Sequence, residues 1–248
     1  MKLASLKDGS RDGKLVVVSR DLTRYTDASF LVPTLQRALD DWNRIVPHLQ
    51  TLAQSLELGA VPWQRFHEHD ALSPLPRAYQ RVGGGDAFIG PRDDVVLPSA
   101  EAAIQAGLAA ITLDIPVGEA DAARDGIALM MLSVDIVVGG EAGVSAFSPV
   151  AVTPDEIEGA EISVLQSSNG KAVAETSVST DFGEVLEKRL NVSALSAGAV
   201  VGRPAGGAKP LAEGDLLRLE AKGSDGHSIF GAIEQKASRK AVNTPLAA

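Results

Sequence analysis

The strongest constraint on the fold is the way the chain breaks up beyond residue 94. Short apolar runs follow one another at 94–97, 108–112, 128–138, 161–166, 172–176, 198–201, 216–221 and 228–234. They have strand length, and turn residues stand between them, most plainly Asn169-Gly170. Many short strands joined by such turns build a rolled or barrel-like sheet rather than a bundle of helices. Before residue 94 the pattern differs. Runs at 2–6 and 14–19, separated by "KDGSRDG", predict a hairpin. Leu35, Leu39, Trp42, Val46, Leu49, Ala53 and Leu56 then recur at helical spacing and form one apolar stripe. Pro47 interrupts that stripe, which predicts a kink or two consecutive helices. "LSPLPRAYQ" reads as an extended entry into a second unit. Two further helix starts are legible. Thr153 is placed as an N-cap, with Pro154 at the first helical position and Glu156 closing a capping box. Asp181 is placed as an N-cap with Glu184 at the third position.

Composition narrows the chemistry. Hydrophobic residues make up 45% of 248, enough for a sizeable core. A net charge of -9 argues against nucleic acid and anionic membranes as partners, since both require a basic surface. Without cysteine there is no disulfide, thiolate metal site or cysteine nucleophile. The first residues lack an apolar signal core and no window resembles a membrane span, so a cytoplasmic protein is expected. "HEH" around Glu68 suggests a metal site, but its polar, Pro-rich surroundings favour a solvated loop.

The stretch "YQRVGGGDAFIGPRD" carries three consecutive glycines, Gly83, Gly84 and Gly85. A phosphate-binding loop would continue into Lys-Ser or Lys-Thr and a helix, and neither follows. The alternative is a tight reconnection, because glycine permits the sharp turns a shortened loop needs.

A series of pieces gives these glycines a context. "MKLASLKDG", "PLPRAYQ", "FIGPRDDVVLP", "AITLDIP", "AFSPVAVTPDEI", "LSAGAVVG" and "GHSIFGAIEQ" occur in this order. The chain resembles the fumarylacetoacetate hydrolase family over almost its whole length. The resemblance implies an α+β fold: a small N-terminal α/β domain over residues 1–72, a mixed β-roll over 73–236 and a flexible tail over 237–248. It implies enzymes in which carboxylates hold Mg or Mn against an oxo-acid, a loop histidine moves a proton and a Lys or Arg helps hold the substrate. Oxygen ligands suit such hard cations.

Matched residue by residue, the chain departs from that pattern. Its Glu-x-Glu pair corresponds to Gln105 and Gly107, so both carboxylates are missing. The acid of the neighbouring strand corresponds to Asp135 and is kept. The segment with the catalytic histidine is reduced to residues 81–87, the substrate-side lysine has no counterpart before "AFSPVAV", and Arg203-Pro204 replace the start of a substrate loop. No metal or other cofactor is therefore expected. The candidate catalytic residues are Asp135, Arg81 and Asp86, and the candidate pocket residues are Tyr79, Gln80, Gln105 and Arg203. Arg92 and Asp93 read as turn residues and Asp114 as structural.

Two functions remain open. One is a repurposed cleft for a small oxo-acid, enol or polyketide-like molecule, working without metal through acid–base chemistry such as isomerisation, cyclisation or lyase action. The other is a non-catalytic partner of an intact family relative. The resemblance implies a homodimer, or a heterodimer with such a relative. Sedimentation at micromolar concentration is expected to show a species heavier than the 25.8 kDa of one chain; a monomer alone would count against the homodimer.

Overall fold

The computed structural model describes residues 1–97, 101–119, 123–158, 160, 162–223 and 226–239. The N-terminal hairpin joins β1 (Lys2–Leu6) to β2 (Lys14–Val18), and β3 (Arg24–Asp27) and β4 (Gln64–Arg65) extend it outward. Between β3 and β4 run α1 (Leu35–Leu39) and α2 (Trp42–Glu57). There are indeed two consecutive helices, but they part at Asp40 and Asp41, not at Pro47. Asp41 has non-helical dihedral angles, whereas Pro47 lies exposed inside α2. One missing backbone donor does not break a helix whose other face is anchored. The anchors are Trp42, Ile45, Leu49, Leu52 and Leu56; Ile45 and Leu52 take the buried places expected for Val46 and Ala53, which are half-buried.

After the short strands β5 (Arg81–Val82), β6 (Ala87–Ile89) and β7 (Val95–Leu97) comes a long antiparallel pair, β8 (Ala102–Thr112) and β9 (Ile127–Val138). Then follow β10 (Glu141–Phe147), β11 (Ala151–Val152), β12 (Ile162–Ser168) and β13 (Lys171–Val178). The chain continues through α3 (Gly183–Leu190), β14 (Val200–Pro204), β15 (Lys209–Leu211), β16 (Leu216–Lys222) and β17 (Ser228–Arg239). One sheet runs β4-β3-β2-β1-β11-β9-β8-β14-β5, with β10 and β6 attached beside β9 and β15 beside β8. A second sheet runs β13-β12-β16-β17-β7. Three pairings are parallel, β10 with β6, β14 with β5 and β17 with β7, and the rest antiparallel. The fold is therefore a mixed α+β roll dominated by strands, as the sequence suggested.

β8 and β9 are buried on both faces, which is why they read as nearly unbroken apolar runs. Ala109, Ile111, Leu129 and Met131 pack with α1 and α2, while Leu108, Ala110, Met130 and Leu132 join the core with the second sheet. Among the described residues no helix is long and apolar enough to cross a membrane.

Several local expectations change. Residues 154–156 make a single 3-10 turn and no capping box forms. The Thr153 hydroxyl donates instead to the Met1 carbonyl at 3.3 Å, and Glu156 faces Arg20 at 3.5 Å. Phe182, not Asp181, is the N-cap of α3, but Asp181 Oδ1 still accepts the Gly183 N–H at 3.0 Å from one position earlier. β17 continues to Arg239, so residues 237–239 of the expected tail are strand. Ala237 is fully buried opposite Val95, and its N–H donates to the Asp215 carbonyl at 2.9 Å. Residues 240–248 of that tail, and Glu161 at the start of the expected 161–166 strand, lie outside the described residues.

A charged cluster ties the N-terminal unit to the second sheet. Arg92 pairs with Glu68 at 2.8 Å and with Glu234, which also pairs with Arg218. Glu68 Oε2 further accepts the Ala232 N–H at 3.0 Å. His67 and His69 are exposed, as a solvated loop would have them, but Glu68 is half-buried and structurally engaged. Asp93 makes the expected turn by accepting the Gly90 N–H at 2.7 Å, while Arg92 is the clamp. Asp114 Oδ1 accepts the Ala197 N–H at 2.9 Å, a structural role. Arg92→Ala removes the clamp between Glu68 and Glu234, leaving them only the Ala232 N–H and Arg218, and is expected to cost about 2 kcal/mol, between the values for exposed and buried pairs. Urea unfolding checks this, with Arg37→Ala as the exposed control.

Candidate functional site

The site begins with a register. Gln105 on β8 and Ser145 on β10 both stand directly opposite Asp135 on β9. Opposed residues of antiparallel strands share a face, so the three side chains form one row across the sheet. In the same ladder, two residues along β8, Gly107 stands opposite Ser133.

Arg81 fills this row from within. It lies at the start of β5, which pairs with β14 through Val200 opposite Arg81. Its Nη2 is 3.3 Å from Asp135 Oδ1 and donates to Ser145 Oγ at 2.5 Å. Its Nε donates to the Gly83 carbonyl at 2.7 Å. Ser145 Oγ donates in turn to Asp135 Oδ1 and accepts the Gly85 N–H at 2.9 Å. The guanidinium carbon lies 4.8 Å from the centre of the Phe88 ring and 5.3 Å from that of Phe147. Those rings pack edge to face at 5.1 Å.

Both charges are largely withdrawn from water, with side-chain exposures of 13% for Arg81 and 9% for Asp135. Desolvation offsets much of such a pair's attraction, and each added hydrogen bond helps repay it. Burial pushes the Arg81 guanidinium below its ordinary value, and the carboxylates of Asp135 and Asp86 push it back up. Arg81 Nη1 is buried without a hydrogen-bond partner.

The glycine run is the housing of this pair. Gly83 and Gly84 have φ of +73° and +76°, where other residues are strained. A Cβ on Gly84 would stand 1.8 Å from Arg81 Nη2 and 2.7 Å from Asp135 Oδ1. A Cβ on Gly85 would stand 2.3 Å from the Val144 nitrogen. The backbone lies so close over the charges that it has no room for side chains.

The remaining candidates are dispersed. Tyr79 is 89% exposed. Gln80 is bound to the 194–196 segment, its Oε1 accepting the Ser196 N–H at 2.7 Å and its Nε2 donating to the Ala194 carbonyl at 3.2 Å. Arg203 Nη1 donates to the Ser179 carbonyl at 2.9 Å. Asp86 is exposed and reaches Arg81 through its charge alone. Arg81, Asp135 and Gln105 are brought together; Tyr79, Gln80 and Arg203 are not. Sequence reasoning missed Ser145, Phe88 and Phe147. The alternation in "VSAF" was the available signal, since it puts Ser145 and Phe147 on one strand face.

The residues present do not fit a divalent metal. Gln105 Nε2 donates to the Gly206 carbonyl at 2.9 Å. A Cβ on Gly107 would lie 2.4 Å from the Arg203 carbonyl oxygen and 2.8 Å from Pro204 Cα, so the backbone of β14 occupies the place of any side chain there. Asp135 Oδ1 is taken by Arg81 and Ser145. Among the described residues no three of His, Asp and Glu gather as a metal-ligating group.

Solved structures share this architecture. Maleylpyruvate hydrolase from Sphingobium sp. SYK-6 superposes with a TM-score of 0.75 at 18% identity, covering 97% of this chain and 100% of that one. It has also been solved with manganese(II) and pyruvate. Fumarylacetoacetate hydrolase from the psychrophile Exiguobacterium antarcticum gives 0.71 at 18% identity, covering 97% and 100%. A probable 2-hydroxyhepta-2,4-diene-1,7-dioate isomerase from Mycobacterium abscessus gives 0.71 at 16% identity, covering 97% and 99%. The chain thus has the fold of the fumarylacetoacetate hydrolase enzymes. Its residues 1–77 match the family model of fumarylacetoacetase N-terminal domain 2. No curated protein matches the sequence.

Gly84 tests the housing against a control. Gly9 has φ +89° with nothing near its missing Cβ, so Gly9→Ala is expected to cost about 1 kcal/mol from backbone strain alone. Gly84→Ala adds a collision with the ion pair and is expected to cost about 2 kcal/mol more. Equal losses in denaturant unfolding would show that the close approach is unimportant.

Proposed function

We propose that the protein is a non-catalytic chain of fumarylacetoacetate hydrolase fold, acting by association with an intact relative or a second copy. The observation that carries this reading is the Arg81–Asp135 pair beneath Gly83–Gly85. The one acid retained from the expected ligand set faces an internal cation, and β14 backbone closes the position beside it. The loop histidine and substrate-side lysine implied by the resemblance also have no counterpart. Groups that act as a unit lose activity together rather than by degrees.

One observation favours the repurposed cleft. Arg81 Nη1 has no partner, and a guanidinium is well matched to the carboxylate of a small oxo-acid. In that reading Arg81 would swing from Asp135 to the ligand and free the carboxylate as a metal-free acid or base.

An assay panel of acylpyruvates and related oxo-acids, with and without Mg and Mn, separates the two. No turnover is expected in any condition, together with co-purification of an intact relative expressed alongside. Metal-stimulated hydrolysis of an acylpyruvate would overturn both readings. Metal-free turnover abolished by Asp135→Asn would establish the repurposed cleft.

A further inference from the structure

We propose that Arg81 is a tethered cation, standing beside Asp135 in the role that the family resemblance gives to a divalent ion. The inference deepens the reading of the same site. It concerns how the site remains stable rather than whether it turns over a substrate.

The first argument is charge. Asp135 is 6% exposed, and a buried carboxylate needs a counter-charge. In this structure Arg81 supplies it. The second is coordination. A divalent ion would draw about six oxygens around itself. Arg81 instead brings its own donors, to Asp135, Ser145 and the Gly83 carbonyl, and sets its guanidinium carbon over the Phe88 and Phe147 rings. Few oxygens then suffice, which matches strand β8, where Gln105 opposite Asp135 and Gly107 opposite Ser133 stand at the positions to which the resemblance gives acids.

The third argument is housing. Arg81 lies three residues before Gly84, whose missing Cβ leaves the space that Nη2 occupies. Arg81 thus docks beneath the loop it begins, and Gly85 donates to the serine that holds both charges. The short loop, the glycines and the arginine form one device. A free ion can leave the site, whereas a side chain on the backbone cannot.

Thermal unfolding of the full chain tests this. The wild type is expected to melt at the same temperature with or without 1 mM Mn or Mg, and with or without 10 mM guanidinium chloride. Arg81→Ala leaves Asp135 buried and unpaired, and is expected to melt about 5–10 °C lower. Guanidinium at about 10 mM should recover part of that loss, while an equal concentration of NaCl should not. Asp135→Asn is also measured alone, and Arg81→Ala/Asp135→Asn should melt above Arg81→Ala, because the uncompensated carboxylate is gone.

Arg81→Ala melting with the wild type would overturn the inference, as would a double variant whose loss is the sum of the two single losses. If Arg81→Ala does not fold, a folded double variant supports the inference and an unfolded one overturns it. The two readings fail separately. Metal-free oxo-acid turnover by the wild type would end the non-catalytic reading and leave the tethered cation standing, whereas metal-stimulated turnover would end both. Additive single and double variants would end the tethered cation and leave that reading untouched.

Discussion

The ladder between β8 and β9 is what the rest of the structure hangs on. It runs from Ala102 opposite Val138 to Thr112 opposite Ile127, and both strands are almost wholly buried. β14 and β15 add to its β8 side, and β10 and β11 to its β9 side. β11 then carries the N-terminal hairpin through Lys2 opposite Val152. One continuous hydrogen-bonded sheet thus joins the N-terminal hairpin to β8 and β9. Register is strongly specified where both faces are buried, because a one-residue slip would exchange them. That is why Asp135 meets Gln105 and Ser145 as a row.

The row explains how a carboxylate is kept buried here. A buried acid alone would be costly. Here its environment supplies a guanidinium, a hydroxyl and a close-lying loop. The aromatic pair Phe88 and Phe147 adds a face that favours a cation and excludes water. The same contacts that make the carboxylate tolerable also leave it little freedom for other work.

Much of the fold was legible and much of the site was not, for identifiable reasons. The hairpin could be read because Asp-Gly turns and apolar runs agree locally. The first half of β8 could not, since "AAIQAG" has little intrinsic strand preference and becomes strand only between β9 and β15. β10 was missed for a similar reason, with Glu141 and Gly143 obscuring its alternation. Asp135 stood out as the acid in an apolar run. Arg81 was visible as a charge beside a glycine run, but its partner lies 54 positions away and is met only through tertiary pairing. Tyr79 and Gln80, adjacent in sequence, go elsewhere: Tyr79 precedes β5 and is exposed, and Gln80 is held by the 194–196 segment.

The closed backbone at Gly107 has a consequence for redesign. A side chain at this position would run into the Arg203 carbonyl and Pro204, which are main-chain atoms of β14 and cannot rotate aside. Exchanging this one residue therefore does not build a carboxylate pair with position 105. Room for it would require β14 to retreat, and that strand pairs with β8 through five successive residues, Val200 to Pro204. The strand is a stop that keeps the position shut to any ligand-bearing side chain.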